Sequence, residues 1–80
     1  MEKWIVKVKD DLWYTPETID IIQNKLLAHF ENNETISVIE FKELIGVSRK
    51  HAVSLLEYFD GLHLTRRVEN HRILRLEKQK

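Results

Sequence analysis

Residues 37–60 constrain this chain more than any other stretch. Ser37-Val38-Ile39-Glu40 places a serine three residues ahead of a glutamate. That spacing is a capping box, in which each side chain takes up a backbone N–H that the first helical turn leaves free. Phe41, Leu44 and Ile45 then give one short apolar face, and Gly46-Val47 breaks it. Ser48 can cap a second helix, where Ala52, Leu55, Leu56 and Phe59 recur at the i, i+3, i+4, i+7 spacing of one buried stripe. Gly61 stands just past its end, where a left-handed C-terminal residue is favoured. Two short helices about a glycine-centred break make a helix-turn-helix.

Arg49 and Lys50 occupy the first turn of the second helix. The helix dipole puts partial positive charge there, so each cation costs about 0.3–1 kcal/mol. An anion reverses that balance, because free N–H groups, the dipole end and two basic side chains together seat a phosphate. The plainer alternative is a solvated pair of surface residues, and the rest of the chain weighs between the two.

Ahead of this stretch, Trp4-Ile5-Val6-Lys7-Val8 is β-branched and aromatic and reads as a strand. Asp10-Asp11 reads as a turn and Leu12-Trp13-Tyr14 as a short return strand. Trp4, Trp13 and Tyr14 read as core or edge packing ahead of a base-stacking platform. Thr15 caps a first helix with Pro16 at its first position. Ile19, Ile22, Leu26 and Phe30 form its stripe, Ile21 and Leu27 widen it, and Asn32-Asn33 ends it. Its outer face is mixed and weakly acidic, which suits a scaffold. Glu34-Thr35-Ile36 is too short for more than one β-bridge.

After Gly61, Thr65-Arg66-Arg67-Val68 and Arg72-Ile73-Leu74-Arg75-Leu76 flank the polar turn Glu69-Asn70-His71. They read as an antiparallel hairpin with either Glu69-Asn70 or Asn70-His71 at its tip. Glu77 to Lys80 reads as a frayed tail. Three helices, the last two a helix-turn-helix, followed by a hairpin, make the winged-helix arrangement. The expected fold is therefore mainly α with a small antiparallel β wing and a short N-terminal hairpin, as one domain over residues 1–80. In it Arg66, Arg67 and Arg72 of the wing approach the start of the third helix.

Charge separates along the chain. Residues 1–45 carry five lysines against nine acidic residues, net −4, while residues 46–80 carry eight basic against four acidic residues, net +4. Every arginine lies in the second part, and arginine matches phosphate bidentately. The absence of cysteine rules out a disulfide framework and fits a reducing cytoplasm. No apolar run approaches the ~18 residues of a membrane span. Ser48, Ser54, His51, His63 and Asp60 are the raw material of a nucleophile–base pair, but no motif positions them, so no enzyme is expected. Gly46 and Gly61 are the only glycines, which excludes a phosphate-cradling loop. His29, His51, His63 and His71 lack metal-ligand spacing, so neither metal nor cofactor is expected.

Nucleic acid is the class these features favour. Beyond its first turn the third helix offers Val53, Ser54, Glu57 and Tyr58, and Glu57 would face phosphates badly. Only the helix start suits binding, which argues for end-on contact with an RNA hairpin, whose major groove admits no helix. The alternative is a DNA-binding winged helix of a transcription regulator, which would lay this helix along the major groove. A third reading is a protein-interaction module anchored on Trp4, Trp13 or Tyr14.

Four stretches carry a family resemblance. Phe41 to Ala52 resembles the FRDLLGTSRKYA stretch of the selenocysteine-specific translation elongation factor SelB. Leu55 to Asp60 resembles its LLEYFD, and Thr65 to Leu74 its TRRVGDxRVL. Asp11 to Tyr14 is similar to the DLYF ahead of its first helix. The resemblance implies the last of four C-terminal winged helices of a cytoplasmic GTPase factor, with the GTPase in upstream domains. It implies a monomeric, membrane-free module that binds the selenocysteine insertion element, an mRNA hairpin, through backbone phosphates and an extruded base. The factor then delivers selenocysteinyl-tRNA to the ribosome at UGA. Carried over by position, Ser48, Arg49, Lys50 and His51 at the helix start and Arg66, Arg67, Asn70 and Arg72 on the wing would contact RNA. His51 stands where the family usually has tyrosine, and Ser54 where proline or alanine is common. Glu69-Asn70-His71 replaces a glycine-containing wing tip, which implies a preferred hairpin different from those of other members.

Overall fold

Each helix begins at the cap the sequence offers it. The computed structural model describes residues 5–9 and 11–75. Thr15 Oγ1 accepts the Thr18 N–H at 3.2 Å and opens α1 (Pro16–Phe30). The capping box is complete at α2 (Val38–Ile45): Ser37 Oγ accepts the Glu40 N–H at 3.1 Å, and Glu40 Oε1 accepts the Ser37 N–H at 2.9 Å. Gly46 closes α2 at φ 72°, the left-handed conformation that glycine takes without a Cβ penalty. Ser48 Oγ then accepts the His51 N–H at 3.3 Å and starts α3 (Arg49–Gly61).

The end of α3 departs from the sequence reading. Gly61 is the last helical residue, and His63 takes the left-handed turn at φ 65°. The His63 N–H donates to Asp60 O and the Leu64 N–H to Phe59 O, each at 3.0 Å. That bond pattern is a Schellman motif. It is set by Leu64 returning to pack on the core, which carries the left-handed turn two residues past the glycine that suggested it.

Five strands accompany the helices. β1 (Val6–Lys9) and β2 (Leu12–Tyr14) form the expected N-terminal hairpin, with Lys7 opposite Trp13 and a register shift between Lys7 and Lys9. β3 (Ile36–Ser37), β4 (Thr65–Val68) and β5 (His71–Leu74) form a sheet in the order β3-β5-β4. Ile36 and Ser37 pair with Arg72 and His71, so this segment is a true third strand where the sequence suggested a single bridge. The pair Val68 and His71 leaves Glu69-Asn70 as the wing tip. The expected roles of Trp4, Asp10, Leu76 and residues 77–80 lie outside the described residues.

Ile19, Ile22, Leu26, Ile36, Phe41, Ala52, Leu55, Leu56 and Phe59 form one core, which Val6, Val8 and Tyr14 of the first hairpin cover. Ile21 is 56% exposed and does not widen the α1 stripe, because it sits one position away from Ile22 around the helix. Trp13 does not enter the core either. It is 53% exposed, since strand alternation sends its neighbours Leu12 and Tyr14 inward.

Glu69 holds φ 57° at the wing tip. A side chain there is strained. Glu69→Gly should therefore stabilise the fold by about 0.5–1 kcal/mol after the larger chain entropy of glycine is set against the relief. A raised urea midpoint at unchanged m-value is the expected readout.

Candidate nucleic-acid interface

α3 presents Arg49, Val53 and Glu57 at i, i+4 and i+8, one ridge along its length with Arg49 and Glu57 exposed and Val53 half-buried. A groove runs along each flank of that ridge, and Arg49 lines both. On the wing side, a groove of about 470 Å³ lies between α3, the start of α2 and the wing tip. Val38, Ile39 and Val53 make its apolar part, Arg49, Arg67 and Asn70 its polar rim, and Glu57 and Arg72 also line it. Ile39 is 58% exposed in spite of its size, so a large apolar surface faces the groove's mouth.

The groove on the other flank, between α3 and the N-terminal hairpin, is larger at about 830 Å³. It combines Lys9, Arg49 and Lys50 with two carboxylates, Asp11 and Glu57. Glu57 Oε1 lies 3.0 Å from Lys9 Nζ, and both side chains are about half exposed. An exposed pair of this kind stabilises little, but it occupies one of the groove's two lysines, and Asp11 adds a second carboxylate to its wall. Glu57 lines the wing-side groove too, but Asp11 does not, and Arg67 and Asn70 join Arg49 there, so the wing-side groove is the better match to a polyanion although it is the smaller of the two.

The eight residues expected at the site divide into groups. Ser48 is committed through its hydroxyl to the α3 cap and sits exposed at the groove's end of the helix. Arg49 and Lys50 are exposed in the first turn and make no hydrogen bond or ion pair with the described residues. Lys50 lines only the hairpin-side groove, while Arg67 and Asn70 reach the wing-side groove that Arg49 also lines, and Arg67 Nε donates to Glu69 O at 3.0 Å. His51 is half-buried and lines neither groove. Arg66 is exposed but, one strand position from Arg67, belongs to the opposite face of the wing.

Arg72 requires a correction. It was expected among the RNA contacts, yet it is 4% exposed. Its Nε and Nη2 both donate to Asp60 Oδ2, at 3.1 and 3.0 Å. The guanidinium is held by Asp60, and the residue lines the base of the groove that its cross-strand partner Arg67 rims. Sequence reasoning also missed the apolar part of the groove. Its one visible sign was Ile39, which falls outside the Phe41-Leu44-Ile45 face of α2.

Ser54 is buried, Asp60 is engaged by Arg72, and His63 Nδ1 lies 2.9 Å from Arg75 Nη1. Among the described residues no group of three His, Cys, Asp or Glu side chains converges. No described helix is long and apolar enough to cross a membrane.

Two comparisons bear on this geometry. The family model described as "Elongation factor SelB, winged helix" matches residues 28–74. The structure of the mRNA-binding domain of elongation factor SelB from E. coli, in complex with SECIS RNA, is similar over 90% of this chain and 60% of that one. The sequence identity is 30% and the TM-score 0.82. The chain thus spans about 60% of that structure's length. No curated protein matches the sequence.

Proposed function

The chain belongs to the elongation factor SelB winged-helix family, and from that premise we propose that it is an RNA-binding module for an mRNA hairpin of the selenocysteine insertion type. The observation that carries this reading is the wing-side groove, where Arg49 on α3 and Arg67 and Asn70 on the wing surround an apolar patch. Cations on the rim suit backbone phosphates. The apolar patch of Val38, Ile39 and Val53 suits the face of an unstacked base. The similar E. coli domain, which was solved with SECIS RNA, supports the same partner.

The module would act as one C-terminal domain of a longer cytoplasmic factor. It would hold the mRNA while other domains bind GTP and selenocysteinyl-tRNA and engage the ribosome. Its own contribution is binding, with Ser48, Arg49, Lys50, Arg67 and Asn70 as the contact residues and His51 and Arg66 at the margin. It would do so as a monomer, with no metal or cofactor.

Fluorescence anisotropy tests the reading with three probes: a stem-loop with one extruded base, the same stem-loop fully paired, and duplex DNA of equal length. Tightest binding to the first is the expected result. If Arg49, Lys50 and Arg67 each neutralise one phosphate, the log–log salt slope should be about −2 to −3. A preference for duplex DNA would move the module to transcription regulation, and equal weak binding to all three would leave only a basic surface.

A further inference from the structure

One carboxylate fastens the wing to α3. Asp60, in the last turn of α3, accepts both Arg72 bonds on Oδ2 and the Thr65 hydroxyl on Oδ1 at 2.6 Å. Thr65 is the first residue of β4 and is 1% exposed. Arg72 lies on β5, the central strand, opposite Ile36 on one side and Arg67 on the other. Three elements that border the groove therefore meet at a single side chain.

Two features give that junction consequence. β3 pairs with β5 over only two residues, so much of the wing is a two-stranded hairpin, and such hairpins hold no fixed direction alone. Arg67 and Arg72 are also directly opposite, and like charges in that position repel. Asp60 neutralises the buried one and leaves Arg67 as the cation the groove presents.

We propose that Asp60, Thr65 and Arg72 are positioning residues for RNA recognition. Their clamp, in which Thr65 and Arg72 are buried and Asp60 is half-buried, fixes the width of the groove between Arg49 on α3 and Arg67 and Asn70 on the wing. This rests on the RNA-binding reading of that groove. Long, mobile cations reach phosphates across a range of widths, so general affinity depends little on the clamp. Acceptance of an unstacked base depends on groove shape, and constellations of this kind tolerate errors of only about 0.5 Å.

The test is the affinity ratio between the stem-loop with an extruded base and its fully paired counterpart, measured with thermal melts. Asp60→Asn alone would leave a buried guanidinium without its counter-charge, so the pair is changed together as Asp60→Asn with Arg72→Met. Exchanging a buried ion pair for uncharged side chains of similar volume is often close to neutral for stability, and the introduced amide oxygen can still accept from Thr65. Arg72→Lys is the second variant, keeping the charge while losing the two-pronged contact. Both should melt near the wild-type temperature and bind the paired stem-loop within about threefold of wild type. Their affinity ratio should fall at least fivefold, more in the double variant. Folded variants that keep the wild-type ratio would overturn the clamp's role. A wild-type chain that does not distinguish the two stem-loops would overturn the RNA reading and the clamp with it.

Discussion

Arg49→Ala is expected to weaken hairpin binding by about 1.5–3 kcal/mol, roughly 10- to 150-fold, while leaving the fold intact or slightly more stable. The two effects have opposite signs for one reason. Arg49 is the first residue of α3, where the dipole is positive, and among the described residues it has no partner. In the free protein its charge is unfavourable by about 0.3–1 kcal/mol, and alanine removes that cost. In the complex the same charge meets a phosphate together with the free N–H groups of the helix start, and alanine removes a charge-assisted hydrogen bond. A merely solvated arginine would show the gain in stability without the loss of binding. Arg49 should be the most sensitive of the exposed cations, because it is the cation that lines both grooves. An unchanged dissociation constant would detach α3 from the function.

Phe41→Ala should destabilise the fold by about 3–5 kcal/mol, the range for truncating a buried aromatic side chain. Phe41 is 0% exposed and is the only fully buried residue of α2. An eight-residue helix has little stability of its own, so α2 stays helical because that ring anchors it between α1 and α3. A domain of this size has about 4–12 kcal/mol in total, at about 0.05–0.15 kcal/mol per residue, so the loss is a large share of the whole. The urea midpoint should fall by about 1 M or more. RNA binding should fall with it, since Val38 and Ile39 reach the groove from the first turn of the same helix. A midpoint near wild type would mean that α2 is held by something other than this core.

The helices and their caps were legible because their signals are local. Ser37 with Glu40, Thr15 with Pro16, and the Ala52 to Phe59 stripe each lie within two turns of chain, and each recurs in the structure as read. What the sequence hid depends on distant partners. The pairing of Ile36 with Arg72 joins residues far apart in the chain, so a two-residue strand had no local sign. Gly61 looked like a helix stop, but the stop is set by where Leu64 packs. Arg72 looked like a surface cation on a wing full of arginines. Its burial follows from Asp60, a residue on another element. Once Glu69-Asn70 is known to be the tip, strand alternation alone separates Arg66 from Arg67 and places Arg67 opposite Arg72. The register was the missing fact, and it could not be chosen between two possible tips from sequence. For the site, the first turn of α3 was readable from charge and capping. The apolar patch was not, because Val38, Ile39 and Val53 come together only when α2 and α3 pack.

The most direct test of RNA in the wing-side groove is an NMR titration of the 15N-labelled chain with the stem-loop that carries an extruded base, followed residue by residue. The largest amide shifts should cluster at Val38 and Ile39, from Ser48 to Val53, and from Arg67 to Asn70. The outer face of α1, including Asp20, Ile21 and Asn24, should stay unmoved. Shifts centred on α1, or on the Lys9 and Asp11 side of α3 with the wing unaffected, would contradict the placement of RNA in that groove.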